Sequence, residues 1–216
     1  MLEKSRQFFP YEDINATKHY PILTISLIIA NIIIFIYSLT NFKEIIYIYG
    51  FTPSSPAITT ALTSMFLHGG FGHILGNMWY LWLFGDNVED KFGKIKFIAM
   101  YILSGIIALA AQYLTAPASQ IPIIGASGAI SGILGAYLVL FPHVEVKTIG
   151  PFYKIYRIEA KYLIALWFVI QLIFGTLSMV GGLGSNIAFF AHVGGFIFGL
   201  FAGLLYKTKH STETNQ

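Results

Sequence analysis

Four polar side chains set in apolar sequence carry the chemistry this chain can offer. Ser127 lies in IIGASGAISGILGAY (Ile123–Tyr137), flanked by glycine and alanine where a helix is expected to begin. His192 lies in AHVGGFIFG, and His73 and Asn77 lie in GHILGN. A serine hydroxyl is a weak nucleophile until an adjacent imidazole takes its proton. Ser127 and His192 therefore suggest a nucleophile and a general base. His73 and Asn77 stand at i and i+4, so they share one helix face. With the Ser127 backbone N–H they are placed to donate to a developing oxyanion. No Asp or Glu falls in the centre of an apolar span, so the expected unit is a Ser–His dyad with no carboxylate. Spoiling the Asp of soluble triads costs about 10⁴ in rate, and slow turnover is expected here.

Other chemistries lack their residues. The chain has no cysteine, which excludes thiol catalysis, cysteine-ligated zinc and disulfides. There is no H-E-x-x-H and no intramembrane Asp pair, so neither a zinc nor an aspartyl protease is supported. GASGA differs from the G-x-S-x-G elbow of soluble hydrolases, because Ala129 stands at the second glycine. No cofactor, metal or nucleic-acid partner is expected. Each residue also has a structural reading. Intramembrane serines bond back to their own helix, and polar side chains hold helices together. His68 reads as a helix-start or loop contact.

The elements that must position these groups belong to a membrane protein. Of 216 residues, 56% are hydrophobic and 11% charged, against about a quarter charged in soluble domains. The lipid bilayer is the expected solvent and partner, and the expected class is all-α and polytopic. Six spans are expected, at Pro21–Leu39, Phe66–Gly85, Ile95–Leu114, Gly128–Phe141, Tyr162–Val180 and Ile187–Tyr206. Most approach the ~20 residues needed to cross a ~30 Å core, and the fourth is short. Of 13 Lys and Arg residues only Lys43 falls outside the tails and the second and fourth connections. The positive-inside bias then puts both termini in the cytoplasm. Residues 1–19 and 208–216 are read as cytoplasmic tails, and 20–207 as the catalytic domain.

Depth brings the polar groups together. Ser127 lies 14 residues before Phe141 and His192 14 before Tyr206, about 21 Å of helix in each case. His73 lies 13 residues before Asp86, about 20 Å. Ionisable and polar groups at such depth are functional candidates by default. A short fourth helix starts inside the membrane, so the chain before it must line a cavity. Gly128-A-I-S-Gly132 and Gly195-F-I-F-Gly199-L-F-A-Gly203 are small-residue seams that let the fourth and sixth spans approach closely. The connection Asn41–Ser64, rich in aromatic residues with Pro53 and Pro56, is expected to lie partly in the outer leaflet.

These motifs resemble those of the rhomboid intramembrane serine proteases, over roughly Ile58–Leu205. TSMFLHGGFGHILGNMWYLWLFG is similar to the family's second helix, GASGAISG to its G-x-S-G nucleophile motif and AHVGGFIFG to its sixth-helix motif. The resemblance implies a six-transmembrane-helix bundle with a short fourth helix and a water-filled cavity open outward. It implies Ser127 as nucleophile, His192 as base, and His73 and Asn77 in the oxyanion site. It also implies single-pass transmembrane proteins as substrates, cleaved in or near their membrane segment. A mobile cap would fall at Gly181–Asn186. Two features depart from many members. The Trp-Arg pair of the first loop is absent, and Ser131 stands where an aromatic often packs on the base. The short tails favour a prokaryotic plasma membrane. The competing readings are a catalytically inactive rhomboid-like protein that binds membrane proteins, and a small channel or transporter.

Overall fold

The computed structural model describes residues 9–180 and 187–213. Strand β1 is Phe9–Asp13, followed by helices α1 (Ile22–Ser38), α2 (Phe42–Tyr49) and α3 (Ile58–Thr63). Helices α4 (Phe71–Phe92), α5 (Lys94–Thr115) and α6 (Ser127–Leu140) follow. A hairpin of β2 (Glu145–Ile149) and β3 (Ile155–Glu159) leads to α7 (Ala160–Val180), and α8 (Phe189–Glu213) ends the described chain. The expected cap at Gly181–Asn186 lies outside the described residues.

Lys94–Thr115, Ala160–Ser178 and Phe189–Lys209 are long and apolar enough to cross a bilayer. Ile22–Ser38 and Ser127–Leu140 are apolar but shorter. Helix α4 carries Asp86, Glu89, Asp90 and Lys91 in its last two turns. Helix α6 has 14 residues, about 21 Å.

Helices α6 and α8 pack backbone to backbone. A Cβ added at Gly199 would collide with the Gly132 backbone, and one at Gly195 with the Gly128 carbonyl. One at Gly135 would overlap the Phe196 carbonyl oxygen. The two glycine seams therefore face each other, as small-residue spacing in apolar helices predicts. Around them, Leu81, Phe84 and Val88 of α4, Phe97 and Tyr101 of α5, and Ile133 and Tyr137 of α6 form a buried core. The Phe84 and Tyr137 rings meet edge to face at 4.9 Å. Helix α7 adds Ala160 and Ile164 to this core and exposes Leu166, Val169, Ile170, Ile173, Phe174 and Leu177 on its other face. With no water to cover them, such residues suit lipid.

The sheet departs from the all-α expectation. β1, β2 and β3 form an antiparallel sheet in that order. EVKTI alternates as a strand should, burying Val146 and Thr148, but five residues beside a cluster of charges read as loop. β1 lies within the segment expected to be a tail, and it docks on the bundle. The Trp79 indole N–H donates to the Pro10 carbonyl at 2.8 Å, and Phe9 packs on Trp79 at 4.9 Å. Asp13 accepts from the Tyr137 hydroxyl and from Asn87 Nδ2, each at 2.7 Å. Burial pushes the Asp13 carboxyl up to about 6, with the Tyr137 hydrogen bond opposing and the Asp86 charge adding. Glu89 joins α4 to α1. Its carboxylate accepts from the Leu23 and Thr24 backbone N–H groups and the Thr24 hydroxyl, at 2.9, 2.7 and 2.8 Å.

Candidate active site

Ser127 is the first residue of α6, one position before the start expected from sequence. The backbone turns into the helix through Gly125, whose φ of 123° disfavours any side chain. A Cβ there would also press on His73 Nε2 at 2.7 Å. His192 lies in the first turn of α8. That turn is fixed by Gln112 of α5, whose Oε1 accepts from the Phe190 and Ala191 N–H groups at 3.1 and 3.2 Å. The glycine seams hold the two helices close, and His192 Nε2 lies 2.8 Å from Ser127 Oγ. On the other side of the ring, His192 Nδ1 lies 2.8 Å from Gln171 Oε1.

A carbonyl oxygen can only accept, so Nδ1 carries the imidazole proton. Nε2 is left with its lone pair and accepts the Ser127 O–H. Trp167 flanks the imidazole with ring centroids 5.9 Å apart. Ser131, which takes the place of an aromatic, donates back to the Ser127 carbonyl at 2.6 Å.

The serine and histidine open into a cavity of about 910 Å³. His73 lines it too, whereas Asn77 does not. The Gly69 N–H donates to His73 Nδ1 at 3.2 Å, which leaves the proton on Nε2, the nitrogen that faces Gly125. Asn77 is buried and turns one amide N–H back to the His73 carbonyl at 3.1 Å. The structure thus brings Ser127, His192 and His73 around one cavity and seats Asn77 behind His73. His68 is fully buried with its ring edge-on to His73 at 5.1 Å. Among the described residues no group of three or more His, Cys, Asp or Glu is placed to hold a metal ion.

Sequence reasoning missed Gln171, Trp167 and Gln112. Gln171 carried a usable signal, as a lone amide in the apolar run LIALWFVIQLIFG. Gln112 carried the same signal in IIALAAQYL, whereas Trp167 had none, since an aromatic residue in an apolar span is unremarkable. The first loop, lacking the Trp-Arg pair, is tied down by backbone. Phe51 and Ile123 exchange N–H···O bonds of 3.1 and 2.8 Å, and Gly125 N–H reaches the Ser64 carbonyl at 2.9 Å. The loop is thereby stitched to the segment that enters α6.

The profile of the Rhomboid domain matches residues 55–209. The chain belongs to the rhomboid family. Its rhomboid domain covers α3 through most of α8 and so includes Ser127, His192, His73 and Asn77. Among similar proteins, YdcA of Bacillus subtilis is 36% identical over 146 residues, 67% of this chain and 63% of that one. The rhomboid protease AarA of Providencia stuartii is 34% identical over 156 residues, 66% of this chain and 54% of AarA. RHOMBOID-like protein 5 of Arabidopsis thaliana is 33% identical over 144 residues, covering 67% and 42%. The match thus spans between 42% and 63% of these relatives' own lengths. Family membership, with helices long and apolar enough to cross a bilayer, makes this rhomboid an integral membrane protein.

Proposed function

We propose that this rhomboid is an intramembrane serine endopeptidase that cleaves single-pass membrane proteins in or near their transmembrane segment. The observation that carries the reading is the 2.8 Å approach of His192 Nε2 to Ser127 Oγ at the wall of a large cavity. Ser127 Oγ attacks the scissile carbonyl as its proton passes to His192 Nε2. The developing oxyanion is met by the His73 Nε2–H and the Ser127 backbone N–H. Asn77, bonded to the His73 backbone carbonyl behind the ring, supports the helix turn that presents His73 to this oxygen. His192 then returns the proton to the leaving amine, and water hydrolyses the acyl-enzyme by the reverse of the same transfers.

The membrane arrangement supports this chemistry. Six helices (α1 and α4–α8) cross the bilayer, with both termini in the cytoplasm according to the Lys and Arg distribution. Residues 20–207 then form the catalytic domain, with residues 1–19 and 208–216 flanking it on the cytoplasmic side. Helix α6, about 21 Å long, starts below the outer surface of a ~30 Å core. Its N-terminus and Ser127 then sit at the floor of a pocket reached by water from outside. AarA is named a rhomboid protease, which favours the active reading over an inactive binding protein.

Wild-type and Ser127→Ala protein in liposomes, given a panel of single-pass substrates and a serine-directed fluorophosphonate, test this reading. Cleavage and labelling by wild type, both lost in Ser127→Ala, are expected. Wild-type protein that cuts no substrate and never labels at Ser127 would sink it.

A further inference from the structure

We infer that Gln171 is the positioning residue of the base, standing where a soluble triad places its carboxylate; the inference rests on the dyad reading above. Gln171 is buried on the inner face of α7, whose outer face exposes a run of apolar side chains. A buried amide is costly unless its hydrogen bonds are made. The Gln171 carbonyl oxygen is committed to His192 Nδ1 at 2.8 Å, and this bond sets the tautomer. With Nδ1 protonated, Nε2 faces Ser127 as an acceptor, 2.8 Å from Oγ. Trp167, one helical turn before Gln171, flanks the same ring, so α7 constrains both the plane and the protonation pattern of the imidazole.

The choice of an amide follows from depth. An ionised carboxylate within the membrane is expensive. An amide oxygen supplies an acceptor with no formal charge. During attack the Oγ–C bond forms, the carbonyl π pair moves to the oxygen, and the Ser127 proton moves to Nε2. The imidazolium then donates through both nitrogens, Nδ1–H to Gln171 Oε1 and Nε2–H toward the leaving nitrogen. When the C–N bond breaks, that nitrogen takes the Nε2 proton. Gln171 exchanges no proton at any step; its carbonyl dipole favours the charged ring in passing.

The test compares Gln171→Met, which keeps length and removes the acceptor, with Gln171→Glu, which keeps an acceptor oxygen whether or not it is ionised. Cleavage kinetics in liposomes and the rate of fluorophosphonate labelling are measured for both, beside wild type and Ser127→Ala. A neutral hydrogen bond's net worth sets the scale. Gln171→Met is expected to lower kcat and the labelling rate about three- to tenfold with KM unmoved, the pattern of a lost transition-state interaction. Gln171→Glu is expected to hold or raise both. Wild-type rates in Gln171→Met would overturn the inference. Equal losses in both variants, or a loss accompanied by a raised KM or a lowered thermal midpoint, would also overturn it, because each means that Gln171 only packs. Failure of wild type to cleave or label would instead defeat the dyad reading itself.

Discussion

Gly199→Ala probes whether the glycine seam sets the dyad distance. The added methyl would lie 2.6 Å from the Gly132 carbonyl carbon and 2.7 Å from its Cα, where ordinary contact begins at 3.4 Å. Both atoms are backbone, and the Gly132 carbonyl oxygen lies nearer still, so no rotamer change relieves the overlap, and α6 and α8 must part by more than about 0.8 Å. Carried to the site, that parting lengthens the 2.8 Å bond between His192 and Ser127 past about 3.6 Å, beyond hydrogen-bonding range. Overpacking of this kind costs about 1–3 kcal/mol, and a misplacement near 1 Å costs on the order of 10² in rate. The expected outcome is a lowered thermal midpoint and a kcat reduced by about two orders of magnitude, measured by unfolding in detergent and by cleavage in liposomes. Gly76→Ala serves as control. It also lies in a helix, but a Cβ there meets nothing within 4 Å, so stability should hold or rise by up to about 1 kcal/mol. Unchanged kcat and an unchanged midpoint in Gly199→Ala would refute the claim that this seam fixes the distance between base and nucleophile.

Two further predictions concern the end of the bundle where β1 docks. The folded Asp13 carboxyl titrates at about 6 against an ordinary value of 3.8, so folding takes up a proton between these values. Stability is full below pH 3.8 and is lost as pH rises through about 6. The loss is at most about 3 kcal/mol and, with partial solvation, about 1–2 kcal/mol. Asp13→Asn keeps an acceptor for Tyr137 and Asn87 and should reduce the pH dependence of the thermal midpoint while raising it at neutral pH, the remaining slope coming from Asp86, which burial raises over the same range; an unaltered slope would count against this. Glu89→Ala removes three hydrogen bonds from the start of α1 and should lower stability by about 2–3 kcal/mol. Glu89→Gln, which keeps one good acceptor, should fall between, and a neutral alanine variant would contradict the assigned cap.

What was legible in the sequence follows from the range of each interaction. Helices announce themselves through apolar runs, and glycine spacing on one face announces close approach, because both are local patterns with a helical period. Ser127, His192 and His73 were legible for a related reason. A polar group in an apolar run is conspicuous, and helix rise turns its position into depth. Depth has no azimuth, however, and that is where the reading stopped. Counting residues placed Asn77 beside His73, yet it could not say that Asn77 turns to the His73 carbonyl and leaves the cavity wall to His73. It also passed over Gln171. A third member is expected to be a carboxylate, whereas the membrane penalises charge and tolerates a paired amide.

The sheet escaped for a different reason. Its strands are five residues each, and the pairing of Asp13 with Val146 joins segments more than a hundred residues apart. No local period records such a contact. Yet this sheet sits at the foot of the site-bearing helices. β1 delivers Asp13 to Tyr137 on α6, the helix whose other end carries Ser127, and β3 runs directly into α7, which carries Gln171. The two helices that carry Ser127 and Gln171 thus share a brace. Breaking the bond from Tyr137 to Asp13 should therefore lower stability without changing KM. Loss of the Gln171 bond should do the reverse, lowering kcat at constant stability, because one contact holds the frame and the other faces the proton that moves.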